Sequence, residues 1–209
     1  MSDPTREHLM RLLAQAPSLT RTQLRKRVSL AYGVAIASVL GVFLAVGGTT
    51  HSEPRALSAT AVLACGLLLL AALSSRVIAK RASSPLGPSG RLLAGVLACT
   101  PCGLLAWLAL MQPTEMYAEI PIGFRCLALS VVMGGLLLGA MTYSRRASDP
   151  VHPGWLGGAL GASAAAWSAA LVAAWCPLYD LPHILIGHVA PVLVLSAAGC
   201  VLARRALRL

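Results

Sequence analysis

The sequence predicts an all-α membrane protein, a bundle of six transmembrane helices preceded by a short cytoplasmic amphipathic helix. The 209 residues are 57% hydrophobic and only 11% charged, and their mean hydropathy of +0.75 is too high for a soluble domain. Six apolar runs are each about long enough to cross a bilayer core, which needs roughly 20 helical residues. Since no run alternates with the period of a barrel strand, helices are the expected spanning elements.

These runs divide the chain into a tail and a transmembrane domain. We expect residues 1–27 to form the tail and residues 28–209 to form the domain. Small residues four apart recur in the fourth and fifth runs, a spacing that lets helices pack closely. The predicted spans are Val28–Gly48, Leu57–Ile78, Arg91–Met111, Pro121–Tyr143, Trp155–Trp175 and His183–Ala203.

The basic residues fall almost entirely on one predicted side of the membrane. All of the 17 except Arg55 and Arg125 lie in the tail, at or between the facing ends of the second and third spans, between the fourth and fifth, or after the sixth. The positive-inside rule therefore places both termini in the cytoplasm. A net charge of +10 that is clustered at span ends indicates contact with the lipid bilayer, and we expect no direct binding of nucleic acid.

The tail contains a short amphipathic pattern. Asp3 as N-cap with Pro4 at the first helical position predicts a helix start, and Pro17 predicts its end. A helix of this length does not fold alone, so its apolar face must rest on a partner protein, on the lipid surface or on the protein's own loops. The candidate partner-binding residues are Leu9, Met10, Leu12 and Leu13.

Two of the six cysteines are predicted to lie at the outer ends of spans. Cys126 follows Arg125 near the start of the fourth span, and Cys176 follows Trp175 at the end of the fifth. An adjacent guanidinium favours a thiolate, the form that oxidants and soft metals attack. Bridging these two sulfurs would require their helices to come together. These four residues, together with His183 and His188, are candidate signal-sensing residues, with helix-end anchoring at the interface as the alternative.

Two histidines open the last span. His183 follows a proline, and His188 lies five residues later. Five α-helical residues turn through about 500°, which leaves the two side chains about 140° apart. We therefore expect no ready-made pair of histidine ligands, unless a kink at Pro191 brings them together. A metal, if one binds, would be held by Cys126, Cys176 and His183.

The other four cysteines are predicted to lie within the spans. Cys65 and Cys200 are expected to be small apolar packing residues. Cys99 and Cys102 form a Cys-x-x-Cys pattern, a spacing that supports disulfide exchange. One alternative function is therefore a membrane thiol oxidoreductase that uses these two thiols with the outer pair.

The last three spans carry a pattern that resembles the negative-regulator-of-sigma-F family of bacterial inner-membrane anti-sigma factors. The resemblance rests on Arg125-Cys126-Leu127, on Trp175-Cys176 and on His183-x-x-x-Gly187-His188-x-x-Pro191, in a chain with the six-span layout of the family. It implies that the tail binds an extracytoplasmic-function sigma factor and that the pair matching Cys126 and Cys176 takes part in sensing.

The sequence is thus interpreted as a non-enzymatic regulator. It is expected to hold a sigma factor and to release it on a redox or heavy-metal signal at the outer face, with transient heavy-metal binding and no permanent cofactor. Besides the oxidoreductase, a small transporter or metal-handling protein with His183 and His188 as ligands is a further alternative.

Overall fold

A computed structural model describes residues 21–46, 57–79, 88–110, 123–146, 150–176 and 181–206, and every regular element in these ranges is helical. The predicted all-α class is confirmed. The predicted tail helix, with Leu9, Met10, Leu12 and Leu13, lies outside the described residues. The helices are α1 Arg21–Ala45, α2 Leu57–Ala79, α3 Gly90–Leu110, α4 Phe124–Ser144, α5 Pro153–Trp175 and α6 Leu181–Ala206.

The helix bounds follow the apolar runs closely. α2 to α6 begin and end within three residues of the predicted spans. α1 begins seven residues before its predicted span, because the basic run from Arg21 to Arg27 continues the same helix. Four helices, α3 to α6, are long and apolar enough to cross a membrane. In the described parts of α1 and α2 the apolar segments are shorter, Ser29–Ala45 and Cys65–Arg76, so a count of six spans stays a prediction.

α5 is the centre of the bundle. Its most apolar stretch is 89% buried inside the protein, and it packs against α2, α3, α4 and α6. Its sequence is mostly alanine and glycine, which lets neighbouring backbones approach. Side chains at Gly157 and Gly161 would run into the backbone carbonyls of Gly199 and Leu195 on α6. The small residues of this helix therefore determine how closely α6 packs.

α6 is α-helical except near its start. Leu181–His183 forms an α-turn, Ile184–Val189 is π-helical, and the α-helix resumes at Ala190. The Ala190 N–H donates to the carbonyl of Leu185, five residues earlier. Pro191 has no N–H to offer the carbonyl four residues before it, and its ring would crowd that carbonyl. A wider turn before the proline relieves both problems.

Candidate functional site

Four buried side chains meet where α4 begins, α5 ends and α6 begins. Cys126 is the third residue of α4, Cys176 directly follows α5, and His183 and His188 belong to the first turns of α6. One donor atom from each, a sulfur or a ring nitrogen, lies within 4.8 Å of the other three. We call these four residues the Cys/His cluster. It joins three helices through side chains that are each at most 3% exposed.

Cys176 is held at the centre of this arrangement. Its N–H donates to the carbonyl of Val172 at 2.8 Å, which continues the hydrogen bonding of α5 by one residue. Its Sγ lies 3.2 Å from Nε2 of His183. The hydrogen bond with Cys126 lowers the pKa of the Cys176 thiol. Burial raises this pKa, and the hydrogen bond with His183 lowers it again. A thiolate at Cys176 is the form that binds metals and reacts with oxidants.

The two histidines face the same point. Their ring centroids are 5.7 Å apart and the rings are inclined by 46°. The expectation that α-helical spacing would turn them apart is therefore wrong. The π-helical turn at Ile184–Val189 is the reason, because its i→i+5 hydrogen bonds widen the turn and bring residues five apart closer to one face than in an α-helix.

Two glycines allow α4 and α6 to cross closely beside the cluster. A Cβ on Gly123 would lie 2.9 Å from the carbonyl oxygen of His183 and 3.0 Å from the Cα of Gly187. A Cβ on Gly187 would lie 3.0 Å from the Cβ of Cys126 and 3.4 Å from Nε2 of His183. Sequence reasoning missed this role of both glycines, because the contact joins segments 64 residues apart.

The other predicted sensing residues stand apart from this cluster or outside the description. Arg125 is exposed whereas Cys126 is buried, because successive helical residues point about 100° apart. The guanidinium is therefore directed to the protein surface and not into the cluster. Trp175 is the last residue of α5, and its side chain lies outside the described residues.

The remaining cysteines do not belong to the cluster. Cys65, Cys99 and Cys102 are exposed free thiols and Cys200 is half-buried. The expectation that Cys65 packs as a buried apolar residue is therefore wrong. The Cys99 and Cys102 pair lies on α3 around Pro101, at the surface and not in the buried interior. This arrangement gives no support to a relay from that pair to the outer thiols.

Two sulfur and two imidazole donors suit a soft or borderline metal ion. Zinc in tetrahedral sites takes this donor set, at about 2.3 Å to sulfur and 2.0–2.1 Å to nitrogen, and thiolates also select other soft metals. Tetrahedral ligands at these lengths lie roughly 3.3 to 3.8 Å apart. The four donor atoms, already within 4.8 Å, would need to contract only modestly. The cluster includes the three ligands predicted from the sequence and adds His188.

Comparison with known families bears directly on these residues. The family model described as "Negative regulator of sigma F" matches residues 12–209, which include the whole cluster. The chain belongs to this family. Its description makes negative regulation of a sigma factor the role of its members. No curated protein and no solved structure matches the chain. The family resemblance drawn from the sequence is confirmed.

Proposed function

We propose that the chain is a membrane-bound anti-sigma factor that holds an extracytoplasmic-function sigma factor and releases it when the Cys/His cluster binds a soft metal ion or is oxidised. Family membership supports the sigma factor as partner. The observation that carries the sensing role is the convergence of Cys126, Cys176, His183 and His188 within 4.8 Å. Nothing about helix packing alone requires two thiols and two imidazoles at one buried junction.

The proposed location is the bacterial inner membrane with both termini in the cytoplasm. Four long apolar helices support membrane insertion, and the one-sided distribution of basic residues supports the orientation. In this orientation α4 begins, α5 ends and α6 begins at the outer face. The cluster would thus lie on the side of the membrane opposite the sigma factor.

The sigma factor is proposed to bind the cytoplasmic tail. Leu9, Met10, Leu12 and Leu13 would form an apolar face that enters a groove of the partner. Residues 21–27 of the tail form the first turns of α1, so the tail continues directly into the bundle. A shift of the bundle can therefore reach the binding segment through continuous chain.

Signal transfer would follow from the three helices that the cluster joins. A metal ion could draw its ligands together, or an external oxidant could take two electrons and two protons from the two thiols and leave a disulfide. Either change would favour one arrangement of α4, α5 and α6 over another. Packed helices tend to switch between discrete arrangements. A signal that favours the released arrangement by about 1.4 kcal/mol shifts the population tenfold. The free-energy difference that a signal at the cluster must supply is correspondingly small.

Co-purification of the full chain with its sigma factor tests the proposal. An extracytoplasmic-function sigma factor of the same organism should remain bound to the detergent-solubilised protein. It should be lost when the first 24 residues are deleted, while the shortened chain still inserts in the membrane. Equal retention by both forms would contradict the tail as binding segment, and no retention by either would contradict the anti-sigma function.

A further inference from the structure

Two free cysteines lie at the surface of α3, a helix that contributes no residue to the Cys/His cluster. Counted from Gly90, Cys99 and Cys102 are the tenth and thirteenth of the 21 residues of α3, and both are exposed. Residues three apart on a helix are neighbours on one face. Thr100, which lies between them in sequence, is only 1% exposed and belongs to the inner face. The two thiols therefore share the outward face of α3, midway along the helix.

The surroundings of this face are apolar. α3 is one of the four helices long and apolar enough to cross a membrane, and only 28% of its apolar stretch is buried inside the protein. After Arg91 its sequence contains no charged residue. At 1.5 Å per residue the two cysteines lie roughly 13–18 Å from the start of the helix, a depth at which an inserted α3 meets the hydrocarbon core. A ligand of this face must reach it through lipid and form an uncharged complex, since charge in hydrocarbon is costly.

The spacing of the two cysteines favours a bridging ion over a disulfide. Cβ atoms three residues apart on a helix are about 5–6 Å apart, whereas a disulfide requires about 3.5–4.5 Å. An atom placed between the two sulfurs removes this mismatch. Pro101 lies inside the helix between the two cysteines and has no N–H for the carbonyl four residues before it. This turn therefore has one hydrogen bond fewer to resist a small adjustment of the thiols.

Charge and coordination number together select the ion. Two thiolates carry two negative charges, so a divalent ion gives a neutral complex, whereas copper(I) leaves one charge in the lipid. Zinc, and cadmium like it, takes four ligands and would keep two positions open towards hydrocarbon. Mercury(II) is a soft divalent ion that is satisfied by two sulfur atoms, one on each side of the metal.

We propose that Cys99 and Cys102 bind one mercury(II) ion from within the bilayer. The ion arrives as mercuric chloride, which is neutral and enters lipid. Two S–H bonds and two Hg–Cl bonds break, two Hg–S bonds form, and the two protons leave with the two chloride ions. No group is oxidised or reduced, and the product is a neutral dithiolate. Neither the sigma factor nor the Cys/His cluster enters this inference, so it stands independently of the proposed function.

Native mass spectrometry of the full chain in neutral detergent tests this site, with mercuric chloride as the probe. The background contains Cys126→Ser and Cys176→Ser, so the Cys/His cluster contributes no sulfur ligand. 2-Mercaptoethanol is present as a competing thiol, which removes mercury that is held by a single sulfur. We expect one mercury ion to remain on the protein, bound without chloride and without the competing thiol.

Cys99→Ser and Cys102→Ser should each weaken this binding about 10²- to 10⁴-fold, because the second attachment of the ion is intramolecular. The matched control Cys65→Ser, which removes another exposed thiol, should leave the affinity unchanged. A spacing control combines Cys102→Ser with Ala106→Cys, which keeps two thiols on exposed positions of α3 but seven residues apart. It should bind mercury as weakly as the single variants, because one ion cannot span two helical turns.

Unchanged affinity in Cys99→Ser or Cys102→Ser would overturn the proposal. So would tight binding by the spacing control, an equal loss of affinity in Cys65→Ser, or two mercury ions that each retain a chloride on the pair. A disulfide between the two cysteines in the freshly purified protein would contradict the spacing argument. If the Cys126→Ser, Cys176→Ser background fails to fold, the unmodified chain should retain one mercury ion more than Cys99→Ser alone, and equal numbers would overturn the proposal.

Discussion

The Sγ atom of Cys176 lies 3.2 Å from Nε2 of His183, across the connection between α5 and α6. The two residues are only seven apart in sequence, yet they belong to the end of one helix and the start of the next. Cys126 and His188 approach the same point from α4 and from the π-helical turn. A ligand or a bond formed at this point therefore acts on the junction of three helices.

Both histidines are expected to be metal ligands. Cobalt(II) is a suitable probe, because its absorption spectrum reports sulfur ligands and tetrahedral geometry. His183→Ala and His188→Ala should each weaken cobalt binding by about 100-fold, since loss of an outer-shell partner alone costs 10- to 100-fold. The control His152→Ala removes an exposed imidazole at the start of α5 and should bind like the unmodified protein. If His188→Ala bound cobalt with unchanged affinity, His188 would not be a ligand and the site would have three ligands.

Gly187 is expected to set the distance between α4 and the π-helical turn. Gly187→Ala places a methyl group 3.0 Å from the Cβ of Cys126, so one of the two helices must move. We expect a loss of about 1–3 kcal/mol in stability and weaker cobalt binding. The control is Gly135→Ala on α4, whose added Cβ meets no atom within 4 Å. Thermal unfolding in detergent and cobalt titration of both variants measure the difference, and equal behaviour would contradict this role.

The sequence predicted that the two cysteines lie at the same outer level, but it predicted neither their burial nor the meeting of the two histidines. Topology alone predicts this shared level for Cys126 and Cys176, because one starts a span and the other ends the next at the same face. The position of His188 depends on a π-helical turn, which a repeat of 3.6 residues does not reveal. Pro191, four residues after Gly187, is the local signal that a wider turn precedes it.

Long-range packing accounts for the rest of what the sequence did not show. The contact of Gly123 with Gly187 and the hydrogen bonds of Trp167 and Ser163 with α2 join residues far apart in the chain. No local pattern marks them, because glycine and serine are common in any closely packed bundle. The buried position of Arg145 is likewise a result of how α1 lies on α4.

The apolar face of the tail is expected to supply most of the binding energy for the sigma factor. Each anchor residue is worth about 1.5–3 kcal/mol when fully buried. Changing Leu9 and Leu13 together to Asp should release the sigma factor and leave the protein inserted, as measured by co-purification and membrane fractionation. Changing Thr5 and Gln15 to Asp provides a control with the same added charge. Retention of the sigma factor by the Leu9 and Leu13 variant would place the binding surface in the cytoplasmic loops.

The proposed orientation is testable with reporter fusions. Fusions after Arg146 and after Leu209 should report the cytoplasm, because basic residues cluster at both positions. Fusions at His51, Glu115 and Asp180 should report the outer side. A cytoplasmic signal at Asp180 would place the Cys/His cluster on the same side as the sigma factor and would remove the need for signal transfer across the bundle.

The most direct test of the account is release of the sigma factor from the purified full-length complex on addition of cadmium(II). Cadmium should release the sigma factor from the unmodified complex. Cys126→Ser and Cys176→Ser should each bind the sigma factor normally but fail to release it. The double variant should lose no more of the cadmium response than either single variant, because both sulfurs serve one site. Cys200→Ser, which alters a half-buried thiol outside the cluster, should release normally. The account would be contradicted if either Cys126→Ser or Cys176→Ser released the sigma factor at the cadmium concentration that releases it from the unmodified complex.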